Sequence, residues 1–217
     1  MRHTTIRRTL RTALLLATTL LATGCRTAHT AATGAFTVVI DAGHGGNDQG
    51  AAGRRSLEKE VTLATARTTA RLIRKHTKGV RVIQSRPDDE FVKLEDRAGM
   101  ANFYQADLFI SIHANSARQW AQGTETFIHP KARGTSAERL ATYIQAEYTA
   151  LGLPNRGVKT ANFAVLRLTR MPAVLTEIGF ISNRQEERYI SSRKGRKQIA
   201  RSICNAFCRY LDDTYRR

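Results

Sequence analysis

The sequence predicts a single α/β domain: a mostly parallel or mixed twisted sheet of about six strands, covered by helices on both faces. Three observations predict it. Apolar runs such as FTVVID and DLFISIH do not alternate with polar residues, which is typical of strands buried on both faces. Segments of helical periodicity separate these runs, as expected for a layered α/β fold. The length of 217 residues suits one domain.

The first half of the chain begins with a buried strand, Phe36–Asp41, followed by a glycine-rich loop, Gly43–Gly53. A helix is predicted over about Leu57–His76, because apolar residues recur at helical spacing and Ser56 is a suitable N-cap. The elements predicted next are a strand, a helix and a second strongly apolar strand: Val80–Gln84, Leu94–Tyr104 and Asp107–His113.

The second half begins with a short alternating strand, Thr124–Ile128. Thr135 and Glu138 form a capping-box pattern that predicts a helix reaching about Ala150. Two further strands are predicted, followed by a mostly helical segment that runs to the C-terminus: Phe163–Arg167, Ala173–Ile178 and the residues from Asn183 onward.

The first 25 residues are predicted to be an export signal rather than part of the fold. Four arginines and no acid precede an apolar stretch that is too short to span a bilayer. Small residues then lead to Cys25, a pattern that resembles a bacterial lipobox and makes Cys25 the candidate lipidated residue. Ala22 departs from that pattern, so an unlipidated secretory signal is the alternative. Residues 26–35 are predicted to be a linker, and 36–217 the functional domain.

The chain is strongly basic, with 35 Lys and Arg against 18 acids and a net charge of +17. Removal of the four leader arginines would leave +13, so most of the charge belongs to the mature domain. Such a charge favours an anionic partner. Export and the absence of aromatic–basic binding motifs argue against nucleic acid.

Chemistry-bearing side chains follow three predicted strands. His44, His113 and Glu177 each end such a strand, and the carboxyl ends of strands in α/β sheets are where ligands bind. Two histidines and a carboxylate can hold a catalytic zinc and leave a fourth position open. From the residues alone, the carboxylate ligand has five candidates: Glu177, Asp41, Asp48, Glu58 and Glu60.

Other motifs contribute less. The glycine-rich loop fits neither of the common phosphate-binding patterns, which argues against a nucleotide site. Cys204 and Cys208 lie in an apolar helical stripe, so we expect core-facing thiols rather than a disulfide or a zinc pair. His129 follows a strand and is a candidate for lining the mouth of the site.

Four ordered segments carry a family resemblance. They read VVIDAGHGGNDQGA, LEKEV, SIHAN and VLTEIGFISN, and correspond to Val38–Ala51, Leu57–Val61, Ser111–Asn115 and Val174–Asn183. With these segments the chain resembles the zinc-dependent N-acetylmuramoyl-L-alanine amidases of the bacterial cell-division type, the amidase-3 family. The resemblance covers nearly the whole predicted domain.

The resemblance implies one Zn²⁺ per chain, held by His44, Glu58 and His113, with Glu177 as the catalytic carboxylate. It also implies cleavage of the amide between N-acetylmuramic acid and L-alanine of the peptidoglycan stem peptide. We expect a monomer in the periplasm or cell envelope, anchored to the membrane through Cys25. The alternatives are a lipoprotein that binds peptidoglycan without cutting it and a zinc peptidase that cuts within the stem peptide.

Overall fold

The computed structural model describes residues 35–214, so the predicted leader, Cys25 and all but one residue of the predicted linker lie outside the described residues. The strands are β1 Phe36–Ala42, β2 Val80–Gln84, β3 Leu108–Asn115, β4 Thr124–Ile128, β5 Asn155–Thr160 and β6 Ala173–Phe180. The α-helices are α1 Glu58–His76, α2 Leu94–Phe103, α3 Ser136–Ala150, α4 Ala164–Leu168, α5 Arg184–Ile190 and α6 Arg193–Thr214, and Pro130–Ala132 form a 3₁₀ turn.

The six strands form one mixed sheet in the order β2-β1-β3-β6-β4-β5. The first four strands in that order run parallel to one another. Strand β4 is antiparallel to β6, and β5 runs parallel to β4. The carboxyl ends of β1, β3 and β6 therefore meet at one end of the sheet, and β4 and β5 begin there. We call this the carboxyl end of the sheet, and the opposite end the amino end.

Helices α1, α3 and α6 cover one face of the sheet. Alternate residues of the central strands, such as Val38, Ile110 and Val174, are fully buried against them. The apolar stripe of α6 lies in the same core, where Ile203 and Phe207 have no exposed surface. Burial of these side chains supplies most of the driving force for the fold, at roughly 25 cal/mol per Å² of apolar surface.

Helices α2 and α4 cover the other face, where Val39, Phe109 and Leu175 form a smaller core with α4 residues. This cover is incomplete: it packs on the part of the face nearer the amino end. On β3 and β6, the residues two positions beyond Phe109 and Leu175 project from the same face, nearer the carboxyl end. These residues are polar. The single-domain fold with a six-stranded mixed sheet and helices on both faces confirms the prediction.

Two strand assignments differ from prediction. The predicted strand Phe163–Arg167 is the short helix α4, in which the consecutive residues Val165 and Leu166 both face the core instead of alternating. The sixth strand is instead β5, for whose residues no element was predicted. Its sequence NRGVKT lacks apolar alternation because β5 is an edge strand with no fully buried residue.

The predictions about helix caps and cysteines were partly correct. Leu57, not Ser56, is the N-cap of α1. The N–H and hydroxyl of Ser56 instead donate to Glu187 Oε1 at 3.1 and 3.0 Å. Thr135 caps α3 as predicted. Cys204 is buried and Cys208 half-buried, and no disulfide joins the two. Among the described residues, no helix has the length and apolar character needed to cross a membrane.

Candidate metal centre

His44 is positioned by the tight glycine-rich loop after β1. Gly45 and Asp48 exchange backbone hydrogen bonds of 2.8 and 3.0 Å, and His44 adopts a left-handed φ of 61°. The carboxylate Oδ2 of Asp48 contacts Nδ1 of His44 at 2.9 Å. A carboxylate on one imidazole nitrogen fixes the ring orientation and leaves the other nitrogen available as a ligand. That second nitrogen, Nε2, lies 3.1 Å from Oε2 of Glu58.

Glu58 is the first residue of α1 and only 4% exposed. Side chains on a helix tilt toward its N-terminus, so Glu58 points back into the loop that carries His44. Its Oε2 accepts from Ala51 N at 2.8 Å, and its Oε1 accepts from Ala114 N at 3.0 Å. Burial opposes ionisation, but hydrogen bonds and charge from His113 and His44 outweigh it and hold the pKa of Glu58 well below its ordinary value.

His113 completes a cluster of three donors. Its Nδ1 lies 3.0 Å from Oε1 of Glu58, and its ring meets that of His44 edge to face with centroids 5.0 Å apart. The three ligand atoms of His44, Glu58 and His113 lie within 4.8 Å of one another. Burial lowers the pKa of His113, but the Glu58 hydrogen bond and the charges of Glu177 and Glu58 outweigh it and raise the pKa above its ordinary value.

Glu177 lies directly beside this cluster, because β6 pairs with β3 in a register that places it opposite His113. Its Oε2 is buried and has no hydrogen-bond partner among residues 35–214. Burial, with help from the charges of Glu58 and Glu125, raises the pKa of Glu177 to about 7. A carboxyl group with a pKa near neutrality can both accept and return a proton at physiological pH.

The remaining acidic candidates have other contacts. Both carboxylate oxygens of Asp41 accept hydrogen bonds, from Ser85, Ser111 and Arg97. Asp48 contacts the outer nitrogen of His44, and Glu60 is exposed on α1. Glu58 is therefore the carboxylate that the fold brings between the two histidines.

The suggestion that His129 lines the mouth of the site is wrong. Strand β4 is antiparallel to β6, so its end, and His129 after it, lie at the amino end of the sheet. There His129 helps to line a separate open cavity of about 800 Å³ with residues of α3, α4 and the start of β6.

Residues 38–209 match the Amidase_3 family, N-acetylmuramoyl-L-alanine amidase. The chain belongs to this family. It is an amidase that hydrolyses peptidoglycan, and the family assignment inferred from its four sequence segments is confirmed.

Known relatives agree with that assignment. The sporulation-specific N-acetylmuramoyl-L-alanine amidase of Bacillus subtilis is 37% identical over 168 residues, which cover 77% of this chain and 65% of the relative, slightly less than two thirds of its length. The Bacillus subtilis protein YqiI is 40% identical over 177 residues, 81% of this chain and 85% of that protein. The crystal structure of an N-acetylmuramoyl-L-alanine amidase from Clostridium difficile 630 superposes with a TM-score of 0.79 at 37% identity, covering 83% of this chain and 98% of that one.

Two buried arginines hold the loop that carries His44, and neither was among the predicted functional residues. Arg97 of α2 forms an ion pair with Asp41 at 2.8 Å and donates to the carbonyl of His44 at 2.6 Å. Arg86 donates to the carbonyls of Gly43 and Lys59, both at 2.8 Å. Fully buried charges need such partners. Hydrophobic periodicity could not predict that these arginines are buried, because their burial depends on tertiary contacts.

Close packing at Gly43 yields a testable prediction. A Cβ at this position would lie 2.5 Å from Nε2 of His113, so Gly43→Ala should displace the imidazole. Misplacement of a catalytic group by about 1 Å can cost about a hundredfold in rate. We expect a loss of that order in the hydrolysis of sacculi.

The matched control is Gly99→Ala in α2, where an added Cβ meets no described atom within 4 Å outside its own helix. That variant should keep full activity and unfold at the same or a slightly higher temperature, since alanine favours helix. Equal activity of the two variants would contradict the close-packing argument.

Proposed function

We propose that the chain hydrolyses the amide between N-acetylmuramic acid and L-alanine with one Zn²⁺ held by His44, Glu58 and His113, and with Glu177 as the catalytic carboxylate. The observation that carries the proposal is the convergence of three donor atoms within 4.8 Å of one another, beside a carboxyl oxygen that is buried and unpaired among the described residues. Family membership supplies the substrate.

The donor set fits zinc. Two imidazoles and one carboxylate are a common set for a catalytic zinc site with an open fourth position. Ligand atoms around a tetrahedral zinc lie about 3.3 Å apart, given its usual bond lengths. Oε2 of Glu58 lies 3.1 Å from Nε2 of His44, and its other oxygen, Oε1, lies 3.0 Å from Nδ1 of His113. Asp48 supplies the carboxylate partner that zinc-binding histidines usually have.

When bound, zinc supplies Lewis acidity to an amide carbonyl and to water. The side chains contribute orientation and proton transfer. Asp48 fixes the ring of His44, and the backbone N–H groups of Ala51 and Ala114 fix the Glu58 carboxylate. Glu177 would accept a proton from the attacking water and return it to the amine of the departing L-alanine, which a pKa of about 7 allows.

Digestion of purified sacculi with and without a chelator, followed by mass analysis of the released fragments, tests this function. We expect free stem peptides that begin at L-alanine, released only when metal is available. Fragments with shortened stems would show a peptidase instead. Binding to sacculi without any release would show a non-catalytic binding protein.

Part of the basic charge lies on one surface formed by α1 and α6. Six basic side chains of α1 and α6 surround a groove of about 470 Å³: Arg67, Arg71, Lys75, Arg193, Arg196 and Lys197. A field of one sign speeds the encounter with an oppositely charged polymer. Because stem peptides carry carboxylates, this groove supports the proposal that the excess charge brings the enzyme to the wall.

The site of action would be the cell envelope, where peptidoglycan lies. Residues 1–25 would direct export and Cys25 would carry a lipid, on the strength of the leader sequence. We expect Cys25→Ala to move the protein from the membrane fraction to the soluble envelope fraction, and Cys208→Ala to leave it in place. Membrane association of the Cys25→Ala variant would contradict the lipid anchor.

A further inference from the structure

A second charged cluster lies on the same face of the sheet as the metal centre, on the far side of Glu177. Glu125 of β4 stands directly opposite Glu177 in the antiparallel pair, so both side chains project from one face. Glu125 is 3% exposed. The face thus carries acidic or metal-binding side chains on three adjacent strands, β3, β6 and β4.

Two cations of the edge strand β5 converge on this one carboxylate. Oε2 of Glu125 accepts from Nε of Arg156 at 2.8 Å and from Nζ of Lys159. Its other oxygen accepts from Asn115 Nδ2 at 2.6 Å, and the Arg156 guanidinium lies 5.0 Å from the centre of the Phe180 ring. These contacts hold both cationic heads near one point.

The cluster has one positive charge in excess, and that charge is accessible. The side chains of Arg156 and Lys159 are each 39% exposed, whereas Glu125 is buried. One cation would be enough to neutralise Glu125. Among residues 35–214, no hydrogen bond engages Nη2 of Arg156, so its outer edge is available to a further acceptor. A substrate carboxylate at this edge would pair with the cation that Glu125 does not need for its own neutralisation.

The distance from the reacting bond suits a stem peptide. Neighbouring strands lie about 4.8 Å apart, so β5 lies about 10 Å from β6 and Glu177. Two extended residues span about 7 Å, and long Arg and Lys side chains cover the difference. A stem peptide whose second residue keeps a free α-carboxylate would bring that group within this reach.

We propose that Arg156 and Lys159 form a carboxylate-binding subsite for the second residue of the stem peptide, with Glu125 as the positioning residue that gathers the two cations. This subsite rests on the proposed amidase function. Arginine recognises carboxylates through paired hydrogen bonds, and such charge-assisted bonds are stronger than neutral ones. A purely structural role on the edge strand, where lysines discourage pairing with other chains, predicts no dependence on the substrate's carboxylate.

The test compares two soluble disaccharide-tripeptides that differ at one group, the second stem residue being either the free acid or its amide. We expect wild-type protein to favour the free acid by about tenfold in kcat/KM, the lower end of the range for a hydrogen bond to a charged group. In Arg156→Gln/Lys159→Gln the ratio should fall to about one, because the KM for the acid rises toward that for the amide.

Two further variants guard against a folding defect and against a general charge effect. Lys159→Gln alone keeps the Arg156–Glu125 ion pair and should lower the preference by roughly threefold. Arg167→Gln/Lys131→Gln removes the same charge from the cavity at the amino end and should leave the preference intact. A preference that survives in the β5 variants overturns the subsite. Equal cleavage of both substrates by wild-type protein overturns it too but leaves the amidase function standing, whereas cleavage of neither substrate overturns both.

Discussion

Replacement of Glu177 by glutamine is expected to slow hydrolysis of sacculi by about a hundredfold to ten-thousandfold, the range typical of a lost acid–base group. Glutamine keeps the shape of the side chain but cannot take a proton from water. Because Glu177 is not one of the three clustered donors, bound zinc should remain near one per chain. The measurements are fragment release by mass spectrometry and metal content of the purified variant.

The control for this variant is Glu60→Gln, which removes an exposed carboxylate from α1 and should change neither quantity. Binding of the Glu177→Gln protein to sacculi should persist without cleavage. If the variant retained a tenth or more of wild-type activity, another group would have to move the proton.

Replacement of Glu58 by glutamine should have a comparable effect on activity for a different reason. The buried carboxylate lies between two imidazoles and supplies the one anionic donor of the cluster. An amide carries no charge and would place an N–H₂ group against a histidine nitrogen. Changes outside the ligand set already cost 10–100-fold in metal affinity, so loss of a ligand should cost at least about as much.

Metal content after dialysis against a mild chelator measures this effect directly. Glu58→Gln should lose its zinc, and Glu60→Gln, two residues along the same helix, should keep it. Excess zinc should restore part of the activity of Glu58→Gln and none of that of Glu177→Gln. Full retention of metal by Glu58→Gln would falsify the proposed ligand set.

The sequence predicted those parts of the fold whose signals are local. The central strands were predicted correctly because burial on both faces makes them continuously apolar. The predicted ends of these strands then pointed to His44, His113 and Glu177. Strand β5 was not predicted, because an edge strand pairs on one side only. Its residues are half-exposed and so show no apolar pattern. Helix α4 was predicted to be a strand, because a run of five mostly apolar residues fits the periodicity of a helix as well as that of a strand.

The site was predicted less completely. The residues alone left five carboxylates as possible ligands, and the family resemblance favoured Glu58. The fold supplies the physical reason, since the first residue of α1 points back toward the loop after β1. Arg97 and Glu125 could not be found in this way, because a buried charge is defined by partners that lie far away in the sequence.

The edge position of β5 separates the two tasks of the amidase. The metal donors and Glu177 depend on β1, β3, β6 and the start of α1, whereas the two cations of the proposed subsite belong to a strand that pairs with β4 alone. With the proposed subsite on β5, exchange of residues 155–160 would alter substrate preference while the metal donors and their strands stay in place. Divergence among such enzymes, and redesign of this one toward walls with different stem peptides, would begin at that outer strand.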